Sequence, residues 1–281
     1  MKYLFDPYKI DYEKVDAPIH DFKTECILAS HKAISKNTKN KPLMVMLSGG
    51  LDSEMVARAL LLAGISFKCL IGKLQVEVAT ETITLNEHDY CYAEKWCDSN
   101  NIKIEYCSLD IYKDAKLLTE YALIGQGFSP QLAWHMFLMK WCHDNGYFFI
   151  GGHEDIDFVL KDGEYFSKDF QRDLSTQNFV DKFGLDGINR FWKQDSRLMA
   201  SFLKLSTVQQ LMKEKVEILV EHKVKYFSEI FPDIEERPKF TGFERIQEWD
   251  AILRTYMKKF NLQYDDISYV PASFFMQEEN R

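Results

Sequence analysis

Two stretches of the chain carry residue types spaced for chemistry on an anion. The first is Ser48-Gly49-Gly50-Leu51-Asp52-Ser53. Gly49 and Gly50 lack Cβ atoms, so backbone N–H groups can converge on a ligand without steric conflict. Ser48 and Ser53 add hydroxyls suited to phosphate oxygens. Asp52 has no favourable place beside a bare phosphate. It implies either a cation such as Mg²⁺ between the two or a helix-capping role. The second stretch is Gly151-Gly152-His153-Glu154-Asp155-Ile156-Asp157. Carboxylates after paired glycines at one sheet edge would lie opposite the first stretch and suit a divalent cation. The plainer alternatives are a glycine turn at 48–53 and an acidic solvated loop at 153–157.

These residues need elements to hold them. Leu43 to Leu47 is a continuous apolar run, long enough for a buried strand and too short for a helix. Met55, Val56, Ala59, Leu60 and Ala63 then recur at helical spacing, with Asp52 or Ser53 as the expected cap and Gly64 as the stop. Strand, glycine turn and helix place the turn where open parallel sheets bind anions. Neither G-x-x-x-x-G-K-[ST] nor G-x-G-x-x-G opens this helix.

The rest of the chain continues the alternation. Helices are predicted over 21–35, 86–100, 114–124 and 130–145, and strands over 66–74, 102–109 and 147–150. Ser129-Pro130 starts one helix and Asn145-Gly146 stops it. Residues 76–85, threonine-rich and β-branched, fit either a loop or an extra strand. Residues 158–195 show few periodic runs and suit a loop or lid, in which Lys161 and Lys168 could reach phosphate or merely solubilise. From Asp195 the chain reads as helical to its end. One apolar stripe runs from Ser206 to Phe231, stopped by Pro232, and another from Phe243 to Phe260. A charged turn, Arg237 to Arg245, separates them, and an aromatic tail over 262–281 docks at the end. His88, His135 and His143 read as ordinary helix histidines, not metal ligands. The pattern predicts an α/β fold: an open parallel sheet of about five strands with helices on both faces, followed by a helical C-terminal region. The expected division is an N-terminal segment at 1–41, the α/β domain at 42–160 and a substrate or lid region at 161–281.

Composition narrows the classes. The chain has 281 residues, 46% of them hydrophobic, enough for a sizeable core and against disorder. Its net charge of −8 argues against a general nucleic-acid or anionic-membrane binder. No apolar run reaches membrane length, and the first residues turn polar too early for a signal peptide. Six cysteines without a C-x-x-C pair fit reduced thiols in a cytoplasmic protein.

Ser48-Gly49-Gly50-Leu51-Asp52-Ser53 resembles the S-G-G-x-D-S pyrophosphate loop of the N-type ATP pyrophosphatases, or PP-loop enzymes. That group includes asparagine synthetase, GMP synthetase, NAD synthetase, argininosuccinate synthetase and tRNA-lysidine synthetase. The resemblance covers residues 21–160. It is closest to the synthetase domain of asparagine synthetase, through the helix-then-strand start, Asn86 to Ala93 and the glycine-then-acid stretch after the strand at 147–150. It implies a Rossmann-like fold of the adenine-nucleotide α-hydrolase type and an AMP-forming, C–N bond-forming ligase that uses ATP and Mg²⁺. The ATP would sit on Leu47, Ser48, Gly49, Gly50, Leu51, Asp52 and Ser53, with adenine against the strand edge near Gly72. Asp52, Asp155 and Asp157 would hold metal, with Glu154 the alternative to Asp157. Asp52, Asp155 and Lys239 would act catalytically, Lys239 by stabilising developing charge. Glu244 and Arg245 resemble a Glu-x-Arg segment of the helical domain. Asp110, at a strand end, would face the nucleotide or serve as a turn aspartate.

The activated substrate implied is a small molecule, a carboxylate by analogy. Residue 2 is Lys2, and about forty residues before the first strand cannot hold a glutaminase domain. A separate ammonia-supplying partner is therefore compatible with the resemblance, as is a homodimer. Three other readings compete: modification of a nucleobase or tRNA base, a non-catalytic ATP-binding module, and sulfur transfer. Sulfur transfer needs a nucleophilic cysteine near the loop, and Cys69 and Cys107 fall within strands.

Overall fold

The computed structural model describes residues 12, 15, 18–127, 129–152, 156–170, 174–193, 195–238, 241–245, 251 and 267–276. Helix α1 (Phe22–Ser35) opens on Asp21, whose carboxylate accepts from Thr24 N at 3.0 Å and Thr24 Oγ1 at 2.7 Å. That satisfies a donor the helix start would otherwise leave open. Then come β1 (Leu43–Met46), α2 (Leu51–Leu62), β2 (Lys68–Val78), β3 (Glu81–Thr84), α3 (Glu87–Ser99) and β4 (Ile104–Asp110). They are followed by α4 (Ala115–Gly125), α5 (Pro130–Asp144) and β5 (Phe148–Ile150). Beyond these lie β6 (Phe158–Lys161), β7 (Glu164–Phe170), α6 (Ser175–Phe183), β8 (Gly187–Ile188) and α7 (Ser196–Leu203). The last are α8 (Ser206–Lys213), α9 (Lys223–Phe227), β9 (Ile267–Pro271) and α10 (Ala272–Phe275).

The main sheet is open, and five of its strands run parallel in the order β4-β2-β1-β5-β8. Val45 sits at its centre, opposite Cys69 of β2 and Ile150 of β5. Strand β3 adds an antiparallel piece to the far end of β2. Gln75 faces both Thr84 and Asp110, so β3 lies on the β1 edge of β2, beyond the point where β1 stops.

Successive residues of β1 feed opposite faces. Met44 and Met46 join Leu70, Phe149, Leu118 of α4, Leu132 and Met136 of α5 and Phe179 of α6. Val45 and Leu47 join Ile150, Cys26 of α1, Met55 and Leu60 of α2 and Trp96 of α3. Helices therefore cover both faces, which is why the central strands β1 and β5 read as unbroken apolar runs. Each large apolar side chain so buried stabilises the fold by about 1.5–3 kcal/mol.

Of the two alternatives for residues 76–85, the extra strand is found: they complete β2 and form β3. Several other expectations are corrected. The expected lid over 158–195 holds a hairpin, β6–β7, as well as α6 and β8. The boundary expected at residue 160 falls inside that hairpin, and β8, the edge strand of the main sheet, lies beyond it. The stripe from Ser206 to Phe231 is not one helix. Helix α8 ends at Lys213, and Lys215 takes a left-handed φ of 58°. Ile218 then exchanges two backbone hydrogen bonds of 2.9 Å with Phe158. Pairing with β6 overrides the helical period. The chain is not helical to its end either: β9 pairs antiparallel with β7, and α10 buries Phe275. Among the described residues no helix is long and apolar enough to cross a membrane.

Candidate functional site

Strand β1 brings the chain to the C-terminal edge of the sheet, where Leu47 N donates to Leu70 O at 2.9 Å. The turn at Ser48–Gly50 leads straight into α2. Gly50 is the N-cap, with φ −73° and ψ 154°, and it has no side chain to accept from the first-turn N–H groups. Neither Asp52 nor Ser53 caps as expected, because both lie inside the first turn. Ser53 Oγ instead donates to Gly50 O at 2.9 Å and accepts from Ser48 N at 3.2 Å. It lies 3.1 Å from Ser48 Oγ, which accepts from Gly50 N at 3.2 Å. The two hydroxyls tie the loop to the helix start, which stays uncapped. Such a start presents N–H donors and the positive end of the helix dipole to an anion.

The loop is packed so closely that glycine is required. Gly49 has φ 96°, and a Cβ there would run into the backbone carbonyl of Asp89, in the first turn of α3. A Cβ on Gly152 would lie 2.8 Å from Asp52 O and from Val56 Cγ2. The two stretches singled out by sequence therefore meet: the end of β5 rests on the first turn of α2. Of the acidic candidates, Glu154 and Asp155 lie outside the described residues, as does Lys239. Asp157 leads into β6, its carbonyl accepting from Lys168 N at 3.4 Å.

Charge reaches the loop from far along the chain. The Asp52 carboxylate pairs with Lys223 Nζ, at the first residue of α9; the lysine side chain is 5% exposed and the aspartate 24%. The Asp52 carbonyl accepts from Trp192 Nε1 at 3.2 Å. Arg237 Nη1 donates to Gly49 O at 2.8 Å, and Arg237 Nη2 bonds the Glu54 carboxylate. Glu54 is 1% exposed and is also held by Arg58 Nε at 2.8 Å. Arg58 reaches on to Asp233 at 2.9 Å, and the Arg237 guanidinium lies 5.0 Å from the centre of the Tyr92 ring. A carboxylate this buried persists only with such partners. Two more buried cations, Arg190 and Lys193, flank Trp192 on the segment that bridges to Gly152. Lys223, Arg237 and Arg58 are balanced by Asp52, Glu54 and Asp233, so the pull on an anion comes from the N–H donors of the helix start. The Glu54/Arg58 pair at i, i+4 is visible in the sequence. Lys223, Trp192 and the grip of Arg237 leave no local signal.

Gly72 lies in β2 beyond the end of β1, and a Cβ there would overlap Trp134. Its carbonyl accepts from Asn86 Nδ2 at 2.8 Å, while Asn86 Oδ1 accepts from Leu74 N at 2.9 Å. Buried Asn86 thereby continues the edge where β1 has ended. Asp110 is a turn residue: its carboxylate accepts from Glu77 N, Tyr112 N and Lys113 N at 2.8–2.9 Å. Burial alone would raise its pKa, but these N–H donors outweigh it and hold the carboxyl below its usual range. Glu244 closes a local turn on Thr241. Lys161 stacks on Tyr269, and His88 is exposed on the first turn of α3.

The described residues contain no group of three or more His, Cys, Asp or Glu side chains suited to a metal ion. Mg²⁺ needs fewer protein ligands, since it is held through one or two carboxylates plus ligand phosphates. Asp52 at the loop would fit that donor set. A nucleophilic role for Cys69 or Cys107 is not supported. A hydrogen bond with Cys97, together with burial, raises the Cys69 pKa, and burial pushes Cys107 up to about 12. Neither is a thiolate at neutral pH.

No family model and no curated protein matches the chain. Among solved structures it is similar to a predicted subunit of tRNA methyltransferase from Methanocaldococcus jannaschii, with 16% identity and a TM-score of 0.35, over 79% of this chain and 89% of that one. It is similar to NMN synthetase from Francisella tularensis, with 14% identity and a TM-score of 0.34, over 85% and 94%. It is also similar to NH3-dependent NAD synthetase from Campylobacter jejuni, with 14% identity and a TM-score of 0.33, over 85% and 93%.

Proposed function

We propose that this chain is an ATP pyrophosphatase-type ligase of the PP-loop group, with a reaction like that of asparagine synthetase. It binds Mg·ATP at residues 48–53 and transfers AMP to an oxygen of a small substrate, a carboxylate by preference. The substrate oxygen attacks the α-phosphorus and the bond to the bridging oxygen breaks, so pyrophosphate leaves. A nitrogen nucleophile then attacks the activated carbon and AMP leaves. The observation that carries this reading is the uncapped start of α2, with Gly49 in left-handed backbone and two serine hydroxyls beside it.

The chain's own residues do three things in this scheme. Backbone N–H groups and the Ser48 and Ser53 hydroxyls cradle the β- and γ-phosphates. Lys223 adds a buried positive charge next to the leaving pyrophosphate. Gly152 and Trp192 fix the first turn of α2, so the donors are aligned before the reaction begins. When bound with the triphosphate, Mg²⁺ supplies further charge neutralisation. No covalent bond to the protein is required.

Calorimetry with an ATP analogue that cannot be cleaved between the α- and β-phosphates tests the site. With Mg²⁺, wild type should bind it at micromolar concentration and Asp52→Ala more weakly. Absence of binding to wild type overturns the reading. A turnover assay with candidate carboxylates should release pyrophosphate, and release of orthophosphate in its place rules out α–β cleavage.

A further inference from the structure

Lys223 is a deeply buried cation that touches a candidate ligand-binding side chain. Its ammonium pairs with the carboxylate of Asp52 at the mouth of the phosphate loop, and only 5% of its side chain meets solvent. It lies 171 residues from Asp52 in sequence and is delivered by α9. The same segment ends in Arg237, whose guanidinium bonds Gly49 O. The loop therefore already contains a cation, and that cation holds the one loop carboxylate available to a metal.

We propose that Lys223 is an exchangeable counter-ion, a positioning residue that makes metal and polyphosphate bind together; this rests on the nucleotide reading above. A divalent ion arriving alone must break the Asp52–Lys223 pair inside the site, where separating opposite charges is costly. A metal arriving on a polyphosphate brings the anion that Lys223 moves to. Asp52 passes from ammonium to metal, Lys223 passes from carboxylate to phosphate, and every charge keeps a partner. Coupling of this kind is reciprocal: each ligand strengthens the other by the same factor.

The test uses the whole chain, with MgCl2 and inorganic pyrophosphate as probes, separately and together, followed by calorimetry. Lys223→Met keeps the length and removes the charge. It should bind Mg²⁺ alone about tenfold more tightly than wild type and pyrophosphate alone about tenfold more weakly, each tenfold being about 1.4 kcal/mol. Mg²⁺ and pyrophosphate also associate in solution, but equally for both proteins, so the difference between them reports the site. Lys223→Arg keeps the charge and should keep the wild-type preference for the pair over either alone. It serves as the second variant if Lys223→Met melts early. Pyrophosphate binding that survives in Lys223→Met with unchanged Mg²⁺ affinity overturns the exchange and leaves the nucleotide reading standing. Weaker pairing of the two ligands in Lys223→Arg than in wild type, equal to that in Lys223→Met, also overturns it. If wild type binds no pyrophosphate with or without Mg²⁺, the nucleotide reading falls and the exchange with it.

Discussion

Three glycine-to-alanine substitutions separate backbone strain from steric contact at the loop. Gly64 has φ 69° with nothing within 4 Å of the position a Cβ would take. Alanine there carries only the left-handed penalty of about 1–2 kcal/mol, reduced by about 0.4–1 kcal/mol because the unfolded chain also loses freedom. Gly50 has φ −73° and its Cβ would meet only the Ser48 hydroxyl, at 3.3 Å. Gly50→Ala should change stability by less than about 1 kcal/mol in either direction. Gly49 combines φ 96° with a Cβ position inside the Asp89 carbonyl. A backbone carbonyl cannot rotate away as a flexible side chain can, so α3 or the loop must move. Overpacking of that kind costs about 1–3 kcal/mol beyond the left-handed penalty. Gly49→Ala should therefore lose about 2–4 kcal/mol of a total stability on the order of 5–15 kcal/mol. Urea unfolding followed by circular dichroism, with the slope checked for constancy, gives all three values. The expected order of loss is Gly49→Ala, then Gly64→Ala, then Gly50→Ala. Equal losses at Gly49 and Gly64 would refute the argument that α3 packs directly against the loop.

Other consequences are open to simple assays. Asn86→Ala leaves the Leu74 N–H and Gly72 C=O without their present partner in a buried setting, and should lower stability by about 2–3 kcal/mol in thermal melts. At Asp186, the Lys41 ammonium, followed by that of Lys39, holds the carboxyl below its usual range. Because the folded pKa lies below the unfolded value of about 3.9, this contribution is present above that pH and fades as pH falls through the folded value. Asp186→Asn should then cost up to about 1 kcal/mol at pH 7, a gap that narrows under acid in a series of melts. Cys91 is exposed and the other five cysteines are buried, so a chromogenic disulfide reagent should titrate one fast thiol per native chain and none in Cys91→Ser.

The parts of this architecture that sequence shows are those whose cause is local. Leu43 to Leu47 declares a buried strand because both of its faces are covered. Ser48 to Ser53 declares an anion turn because glycine and serine act there through their own backbone and hydroxyls. Asp21 marks a helix start through its own side chain, and Ser129-Pro130 through proline's fixed φ at the first helical position. What sequence hides is decided by partners far away. The stripe from Val208 to Phe231 has a helical period, yet Ile218 is claimed by Phe158 of β6. Residues 158–170 alternate too weakly to announce a hairpin, since β9 supplies the third strand from a hundred residues further on. Lys223 and Trp192 look like any surface lysine and core tryptophan until α9 and the 189–193 segment fold onto α2. The cap expected at Asp52 or Ser53 fails because glycine backbone alone can start this helix, which leaves both side chains for other work.

The docking of α10 bears on how the chain is made. Phe275 is fully buried against Phe158, at 6.3 Å between ring centres, and against Tyr12, at 5.0 Å. Phe158 also stacks on Phe202 at 6.2 Å. An aromatic hub therefore joins segments far apart in the chain, around residues 12, 158, 202 and 275, which leave the ribosome at different times. The parallel strands can assemble once β8 has emerged, but the hub stays open until residue 275 is free. During that interval β7 offers a bare edge and Phe158 and Phe202 lack their final cover. Such a chain relies on late, long-range closure, which is slow and exposes apolar surface to other nascent chains. Truncation just before β9 would turn that transient exposure into a permanent one, trading a folding delay for an aggregation hazard.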